Sequence, residues 1–347
     1  MTNICDLFGI NLPLIQAPMA GVQKHELAAA VSNAGGLGSL PCAMLSSTAI
    51  KEETYAFREK SKGPLNLNFF SHKNPVLKAG ELEKWNEALS DYYSEFDLKL
   101  TDPDPTPARQ PFNNELVQLV EELKPEVISF HFGLPDEDLL NRARGTGAKI
   151  ISSATTVEEA IWLESKGVDA IIAQGLEAGG HRGIFLSDDI NTQVGTMSLL
   201  PQILANVRTP VIASGGIADA KSVKAAMDLG AAGVQLGTVF LLCPESQTSD
   251  IHREALKNTD SRVTALTNVF TGRPARGIVN RIIREQGPIS PNAPQFPMAT
   301  AAMAPLRSKA ESMGSGDFSP LWSGQNTSGC KEISAAELAS ELMSLLR

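Results

Sequence analysis

Short runs of β-branched and apolar residues recur along the chain. Each is closed by a turn containing Gly or Ser and followed by an amphipathic stretch. Eight such runs are present: PLIQAPMA (13–20), GLGSL (36–40), LNLNFF (65–70), VISFHFG (127–133), AKIISSAT (148–155), DAIIAQG (169–175), PVIASGG (210–216) and GVQLGTVFL (233–241). Between them, HELAAAVSNAG, TVEEAIWLESKG and DAKSVKAAMDLG carry helical spacing and end in Gly, as helix C-termini commonly do. Thr156 and Glu159 have the spacing of a capping box for the helix ahead of the sixth strand.

Strands buried on both faces and alternating with helices predict a parallel sheet. Eight of them, with functional-looking residues at their C-terminal ends, predict an α/β fold of the (β/α)8 TIM barrel type rather than an open doubly wound sheet. The barrel is expected from 1–70 and 113–243. Residues 71–112, carrying Trp85, Tyr92, Tyr93 and the segment DPDPTP, read as an elaborated loop insertion with a short helix. Residues 244–325 are rich in Pro, Gly and Ser and hold no ninth βα unit, which predicts a substrate or cap domain over the barrel mouth. In the tail, 326–347, Ala335, Leu338, Leu342 and Leu345 at helical spacing predict a packing helix.

The length of 347 residues suits one barrel of about 250 residues plus such an elaboration. With 30 Lys+Arg against 39 Asp+Glu the formal charge is −9, which argues against nucleic acid or an anionic membrane as the main partner. No run approaches the ~20 apolar residues of a membrane span, and MTNICDLFGI does not read as a secretory leader. Cys5, Cys42, Cys243 and Cys330 are widely spaced, so neither a disulfide framework nor a zinc site is expected. His131 and His181 lack metal-ligand spacing, and no bound metal is expected. A reduced, cytoplasmic protein is the expectation.

Two strand ends point to a phosphate. SGGIAD (214–219) closes the seventh strand and opens a helix, and VQLGT (234–238) does the same after the eighth. Gly215 and Gly216 allow backbone N–H groups close to an anion, and Gly237 and Thr238 add donors. Other strand ends suit a flat, neutral ring with a uracil-like edge. QAPMAG (16–21) offers small residues and Met19, while Asn66, Asn68 and Gln174 offer amides. By period two, Asn66 and Asn68 point the same way, either inward to a ligand or outward to helices. No G-x-G-x-x-G follows the first strand, so a Rossmann dinucleotide site is unsupported.

The loop QGLEAGGHRGIF (174–185) is the catalytic candidate. Gly179, Gly180 and Gly183 can lay backbone against a planar ligand while projecting His181, whose ordinary pKa near 6.5 suits proton transfer. Arg182 either holds an anion or pairs with an acid, and Glu177 reads as structural or at the loop surface. His131 faces the mouth if its strand is placed correctly, whereas His25, His72 and His252 have no convergent neighbours.

These segments, in this order, resemble the nitronate monooxygenase family, also called 2-nitropropane dioxygenases. FTGRPARGIVN (270–280) and LWSGQ (321–325) are similar to its class I members, and the likeness spans nearly the whole chain. The resemblance implies an FMN-containing barrel that oxidises alkyl nitronates, notably propionate 3-nitronate, with O2 and without nicotinamide. The products implied are an aldehyde or oxo acid plus nitrite or nitrate. It also implies FMN contacts at Met19, Ala20, Gly21, Asn68, Gln174, Gly179, Gly216, Gln235, Leu236, Gly237 and Thr238, to which the turn and loop arguments add Gly180 and Gly215. His181 is implied as catalytic or substrate-orienting: protonated, it attracts nitro oxygens or shuttles a proton; neutral, it removes an α-proton from a nitroalkane. Family members often line the substrate pocket with tyrosines from the cap, and this chain has none after Tyr93. Phe296, Phe318 and Trp322 are the expected substrate wall, with His131 beside them. The partners expected are a small nitronate and O2, acting on a monomer or homodimer. Two other readings remain: an FMN-dependent NAD(P)H oxidoreductase, such as an enoyl-acyl-carrier-protein or quinone reductase, and a non-catalytic flavin- or phosphate-binding sensor.

Overall fold

The computed structural model describes residues 3–100, 109–258 and 263–346, so the DPDPTP segment lies outside the described residues. Eight parallel strands form the central sheet: β1 (Leu14–Gln16), β2 (Gly38–Pro41), β3 (Leu65–Phe70), β4 (Val127–His131), β5 (Lys149–Ala154), β6 (Ala170–Gln174), β8 (Val211–Ser214) and β9 (Gly233–Leu236). β1 pairs with β9 along one edge, and Ile15 bridges Leu37 just ahead of β2, which closes the barrel. Every apolar run picked out in the sequence overlaps one of these strands.

The alternation within each strand explains the barrel. Leu65, Leu67 and Phe69 face the surrounding helices, in one core with Ile128, Phe130, Ile171 and Ala213. Asn66, Asn68 and Phe70, one residue out of phase, therefore point inward. The bottom of the barrel is filled by Ile15, Val127, Ile151, Ile172 and Ile212, plugged by Ile4 and Phe8 of the N-terminal helix Ile4–Phe8. With that end closed, the cavity lies at the C-terminal ends of the strands.

Helices end at the expected glycines: Gly35, Gly167 and Gly230 all take positive φ. Thr156 caps its helix by accepting the Glu159 N–H, but the reciprocal half of the expected box is not made. Glu159 is fully buried and accepts instead from Thr155 N–H and Oγ1 (both 2.7 Å) and from Phe185 N–H (2.5 Å). Its carboxylate thus ties the loop after β6 to the end of β5.

A second core stands over the mouth. Within the 71–112 stretch the chain forms a helix of 15 residues, Glu81–Glu95, longer than the short one expected. Trp85, Leu89, Tyr92 and Tyr93 lie on one face and pack with Phe270, Ile282, Met303 and Leu306. Trp85 Nε1 donates to the Ala299 carbonyl (3.3 Å) and Tyr93 Oη to that of Ala302 (2.8 Å). The early stretch and the late one thus share a core. β7 (Gly180–His181), β10 (Thr264–Thr267) and β11 (Ala275–Ile278) form an antiparallel sheet in the order β10–β11–β7, and so bring the His181 loop to this upper layer. The last helix, Ala335–Leu342, packs Ala335, Leu338, Ala339 and Leu342 inward, whereas Leu345 lies past its end and is exposed. All four cysteines are free.

Candidate active site

The cavity has a glycine-lined end. Gly215 and Gly216 leave β8 with φ of +114° and +72°, a turn that a residue with a Cβ adopts only with strain. Helix Ala220–Asp228 is closed by its own box, Asp219 accepting the Ser222 N–H (2.7 Å) and Ser222 Oγ the Asp219 N–H (3.0 Å). After β9 the chain turns at Gly237 into a 3-10 helix, Thr238–Leu242, rather than continuing as strand or entering an α-helix. The anion donors offered are consequently loop N–H groups and the Thr238 hydroxyl.

The LWSGQ motif straps these loops together. Gly324 N–H donates to Thr238 Oγ1 (3.0 Å), Gln325 N–H to the Glu177 carbonyl (3.0 Å), and Asn326 Nδ2 to the Gly216 carbonyl (3.0 Å). A Cβ on Gly179 would lie 2.6 Å from the Gly324 nitrogen, so the strap runs against bare backbone. Glu177 is structural: its carboxylate accepts from the N–H (2.8 Å) and hydroxyl (2.9 Å) of Thr196.

Met19, Ala20, Gly21, Asn68, Gln235 and Gly237 line the same cavity between this end and His181. Gln16 and Gln23 hold the Met19 turn in place, Gln23 Oε1 accepting from Met19 N–H (2.9 Å) and Gln16 Nε2 (2.6 Å). Gln235 Oε1 is buried with no hydrogen-bond partner, an acceptor waiting for a ligand N–H. Glycine turns with free N–H groups, a small-residue platform and an orphaned amide oxygen fit a phosphate joined to a flat heteroaromatic ring. Asn66 lies one layer deeper, donating to Ser39 Oγ (2.9 Å), and does not line the cavity. Leu236 does not line it either. Its side chain belongs to the outer core, and only its carbonyl serves the site, by accepting the Ala17 N–H (2.8 Å).

The opposite end is built from side chains around His181. Gln174 spends its amide on positioning: Nε2 donates to the His181 carbonyl (3.0 Å) and Oε1 accepts from Gly183 N–H (2.7 Å). It lines the cavity and braces the loop as well, and these bonds use only one of the two Nε2 hydrogens. His131 Nε2 also meets the His181 carbonyl (3.1 Å). A carbonyl only accepts, so His131 carries its proton on Nε2 and its Nδ1 accepts from Ser153 Oγ (3.1 Å). Burial lowers the His131 pKa to about 4. Arg182 does neither thing expected of it. It is fully buried behind the loop, donating to the carbonyls of Gly175 and Gln174 (both 2.6 Å) and to Gln193 Oε1 (2.9 Å).

His181 Nε2 lies 2.9 Å from Thr271 Oγ1. Burial, then Arg109, His131, Arg273 and His72, holds this imidazole well below its ordinary range. A protonated His181 is therefore the disfavoured form, and the neutral ring is the one the site contains.

Phe296 meets His181 edge-on and Trp322 meets it tilted, with centroids 5.4 and 5.6 Å away; of the two, Trp322 lines the cavity and Phe296 lies behind it. Phe318 does not join them. It is fully buried inside the cap core against Tyr92 and Phe96, and its place on the substrate wall is withdrawn. Several residues around the site were not placed there by the sequence, which read His72 and His252 as lacking convergent neighbours. His72 sits edge-on to Phe296 at 4.9 Å, with its pKa lowered to about 4 by burial. His252 lines the outer cavity, and Arg109 lines it near Met44 and Phe70. Thr271 belonged to a recognised motif, FTGRPARG, without an assigned role; the others carry no local signal. His25 lies apart from the cavity, paired with Glu53 at 2.7 Å. Among the described residues, no group of three or more His, Cys, Asp or Glu is placed to hold a metal, and no helix is long and apolar enough to cross a membrane.

Comparison with known proteins gives a consistent result. The sequence profile of the nitronate monooxygenase family matches residues 1–344. A nitronate monooxygenase of Pseudomonas aeruginosa is 39% identical, with 98% of each chain covered, and one of Paraburkholderia phytofirmans is 37% identical over 97% of this chain and 92% of its own. Among solved structures, a nitroalkane oxidase of Streptomyces ansochromogenes superposes with a TM-score of 0.89 at 36% identity, covering 99% of this chain and 97% of the other. FabK of Thermotoga maritima superposes at 0.73 with 25% identity, covering 99% and 95%.

Proposed function

The chain belongs to the nitronate monooxygenase family of flavin-dependent oxidoreductases, and from that premise we propose that it binds FMN and oxidises small alkyl nitronates, propionate 3-nitronate among them, with O2 and without nicotinamide. The products are the corresponding aldehyde or oxo acid and nitrite or nitrate. One observation carries this reading: a neutral imidazole and a glycine-built anion cradle line the same closed-bottom cavity, with an unpartnered Gln235 oxygen also on its wall. The turns at Gly215–Gly216 and Gly237–Thr238 would hold the phosphate. Met19, Ala20, Gly21, Asn68, Gly179, Gly180 and Gln235 would hold the ring, Leu236 contributing only through its backbone. When bound, the flavin supplies electron acceptance and the reaction with O2.

The chain's own residues orient the substrate. A nitronate is already a carbanion equivalent, so it needs placement more than activation. His181, with Nε2 against Thr271 and its carbonyl held by Gln174 and His131, presents a fixed neutral ring. That ring can orient a nitro oxygen, or accept the α-proton when a neutral nitroalkane enters. Phe296 and Trp322 pack against the imidazole and hold it in place. The test is oxygen consumption by the purified protein with propionate 3-nitronate, with and without NADH. Uptake without NADH is expected, from a yellow protein that releases FMN on denaturation. A colourless protein that takes up no added flavin, or a flavin bleached by NADH and untouched by nitronate, overturns the reading.

A further inference from the structure

The hydroxyl beside the catalytic imidazole is supplied by the cap, not by the loop that carries the imidazole. β10 ends at Thr267, and the chain turns back through 268–274 before β11 pairs Ala275 with His181. Asn268 fixes that turn. Its carbonyl accepts the N–H groups of Thr271 (3.3 Å) and Gly272 (2.7 Å). Its side-chain amide donates to the Ser290 carbonyl (2.9 Å) and accepts the Ser290 N–H (2.8 Å). Gly272 takes a φ of +91°, and a Cβ there would run into the Pro294 carbonyl. Thr271 is buried on this turn, with Oγ1 2.9 Å from His181 Nε2.

Counting donors and acceptors decides which ring nitrogen carries the proton. Thr271 Oγ1 accepts the Arg273 N–H (3.5 Å), and its hydroxyl reaches the Arg273 carbonyl (3.4 Å). A hydroxyl has one proton to give, and a carbonyl only accepts. With Nε2 protonated, the ring donates to Thr271 and the hydroxyl donates onward to Arg273, so each polar group of the turn is paired. With Nε2 bare, the hydroxyl must turn to the ring and the Arg273 carbonyl loses that partner. An N–H is then left on Nδ1, facing the cavity without an acceptor among the described residues, and an orphaned N–H is the rarer defect. Arg109 adds to the balance. It lines the cavity, and among the described residues its guanidinium meets neutral partners, Thr300 Oγ1 (3.0 Å) and Met44 Sδ (3.8 Å). A cation on that side favours a lone pair over an N–H at the cavity-facing nitrogen.

We infer that Thr271 is a positioning residue that fixes His181 as its Nε2–H tautomer, leaving Nδ1 as the basic atom presented to the substrate. A neutral nitroalkane then gives its α-proton to Nδ1. The electron pair of the broken C–H bond passes into the nitro group to form the nitronate, and the imidazolium keeps its Nε2–H on Thr271. The chain from Thr271 to the Arg273 carbonyl supports that positive charge. This inference rests on the nitronate reading above and narrows it: the tautomer offers a nitro oxygen no N–H, so the ring serves as a base.

The test begins with the wild-type flavoprotein carrying heavy nitrogen in its five histidines. Long-range proton–nitrogen correlation spectra near neutral pH distinguish the tautomers, and His181→Asn identifies the signals of His181 by their loss. A proton on Nε2 is expected; a proton on Nδ1, or an even mixture, overturns the inference. Thr271→Val is expected to produce that mixture and Thr271→Ser to keep the wild-type pattern, and an unchanged spectrum in Thr271→Val counts against the role of Thr271. Should Thr271→Val fail to fold, the wild-type spectrum still decides. Turnover is compared for nitroethane and its anion, ethyl nitronate. Thr271→Val is expected to lower kcat for nitroethane by about 10-fold, the scale of one hydrogen bond to a charged group, with KM little changed. Ethyl nitronate should lose less, and Thr271→Ser should recover most of the nitroethane rate. Equal losses on both compounds, or a wild type that oxidises ethyl nitronate and leaves nitroethane untouched, overturn the inference and leave the nitronate reading standing. Oxidation of neither compound by the wild type overturns both.

Discussion

The two ends of the cavity are made by different means. The Gly215–Gly216 and Gly237 end is backbone, and what matters there is the absence of Cβ atoms and the strap 323–326 that clamps the loops. The His181 end is side chain, assembled from β4, β6, β7 and the cap, and its properties depend on what surrounds each group. The first is specified by short motifs and serves an anion shared by many ligands. The second is specified by tertiary packing and decides which substrate reacts. Binding and chemistry are thereby separable by mutation.

The sharpest way to separate them is His181→Asn. Turnover of a neutral nitroalkane is expected to fall by roughly 10²–10⁴-fold, the usual worth of a positioned acid or base, and that of a nitronate by less, while visible absorbance shows flavin retained. Unchanged kinetics in that variant would remove His181 from the reaction. Gly179→Ala attacks the other end. Its Cβ would sit 2.6 Å from the backbone of Ser323 and Gly324, which cannot rotate away. A cost of about 1–3 kcal/mol is expected, seen as a lower melting temperature and weaker flavin binding in a fluorescence titration. Normal flavin affinity in this variant would show that the strap is dispensable.

Acid is expected to weaken the side-chain end most. His72 and His131 are both lowered to about 4 in the folded protein, against an ordinary value near 6.5. As pH falls below about 6.5 the unfolded chain takes up protons that the native state refuses, so stability present above that pH is lost towards pH 4. The slope is up to about 1.4 kcal/mol per pH unit for each such histidine. Urea midpoints measured from pH 7 to 4.5 check this. His131→Gln should flatten the slope, and a profile that is already flat in the wild type would mean that these imidazoles are hydrated.

Legibility followed the range of the interaction. The barrel strands fell on the apolar runs because strand alternation and helix ends are encoded within a few neighbouring residues. Gly215, Gly216, Gly237, Thr238 and His181 were recognisable for the same reason, since each sits in a motif tied to a strand end. Phe318 was misplaced on the substrate wall because apolar character does not say which way a side chain faces. Arg109 and His72 belong to no motif. They enter the site because the stretch containing the helix Glu81–Glu95 folds onto the late cap.

By itself, then, the sequence determined a (β/α)8 barrel with glycine turns at two strand ends and one imidazole in a glycine-rich loop after the sixth, since periodicity and glycine placement are local properties of the chain. Only the tertiary structure decided that this imidazole is neutral, that Gln174 and Arg182 are braces, and that Arg109 faces the cavity without a counter-charge. Protonation and charge balance depend on burial and on neighbours brought from far along the chain, such as Thr271 beside His181 and Thr300 beside Arg109, and even the short-range bonds of Gln174 and Arg182 depend on how the loop folds back.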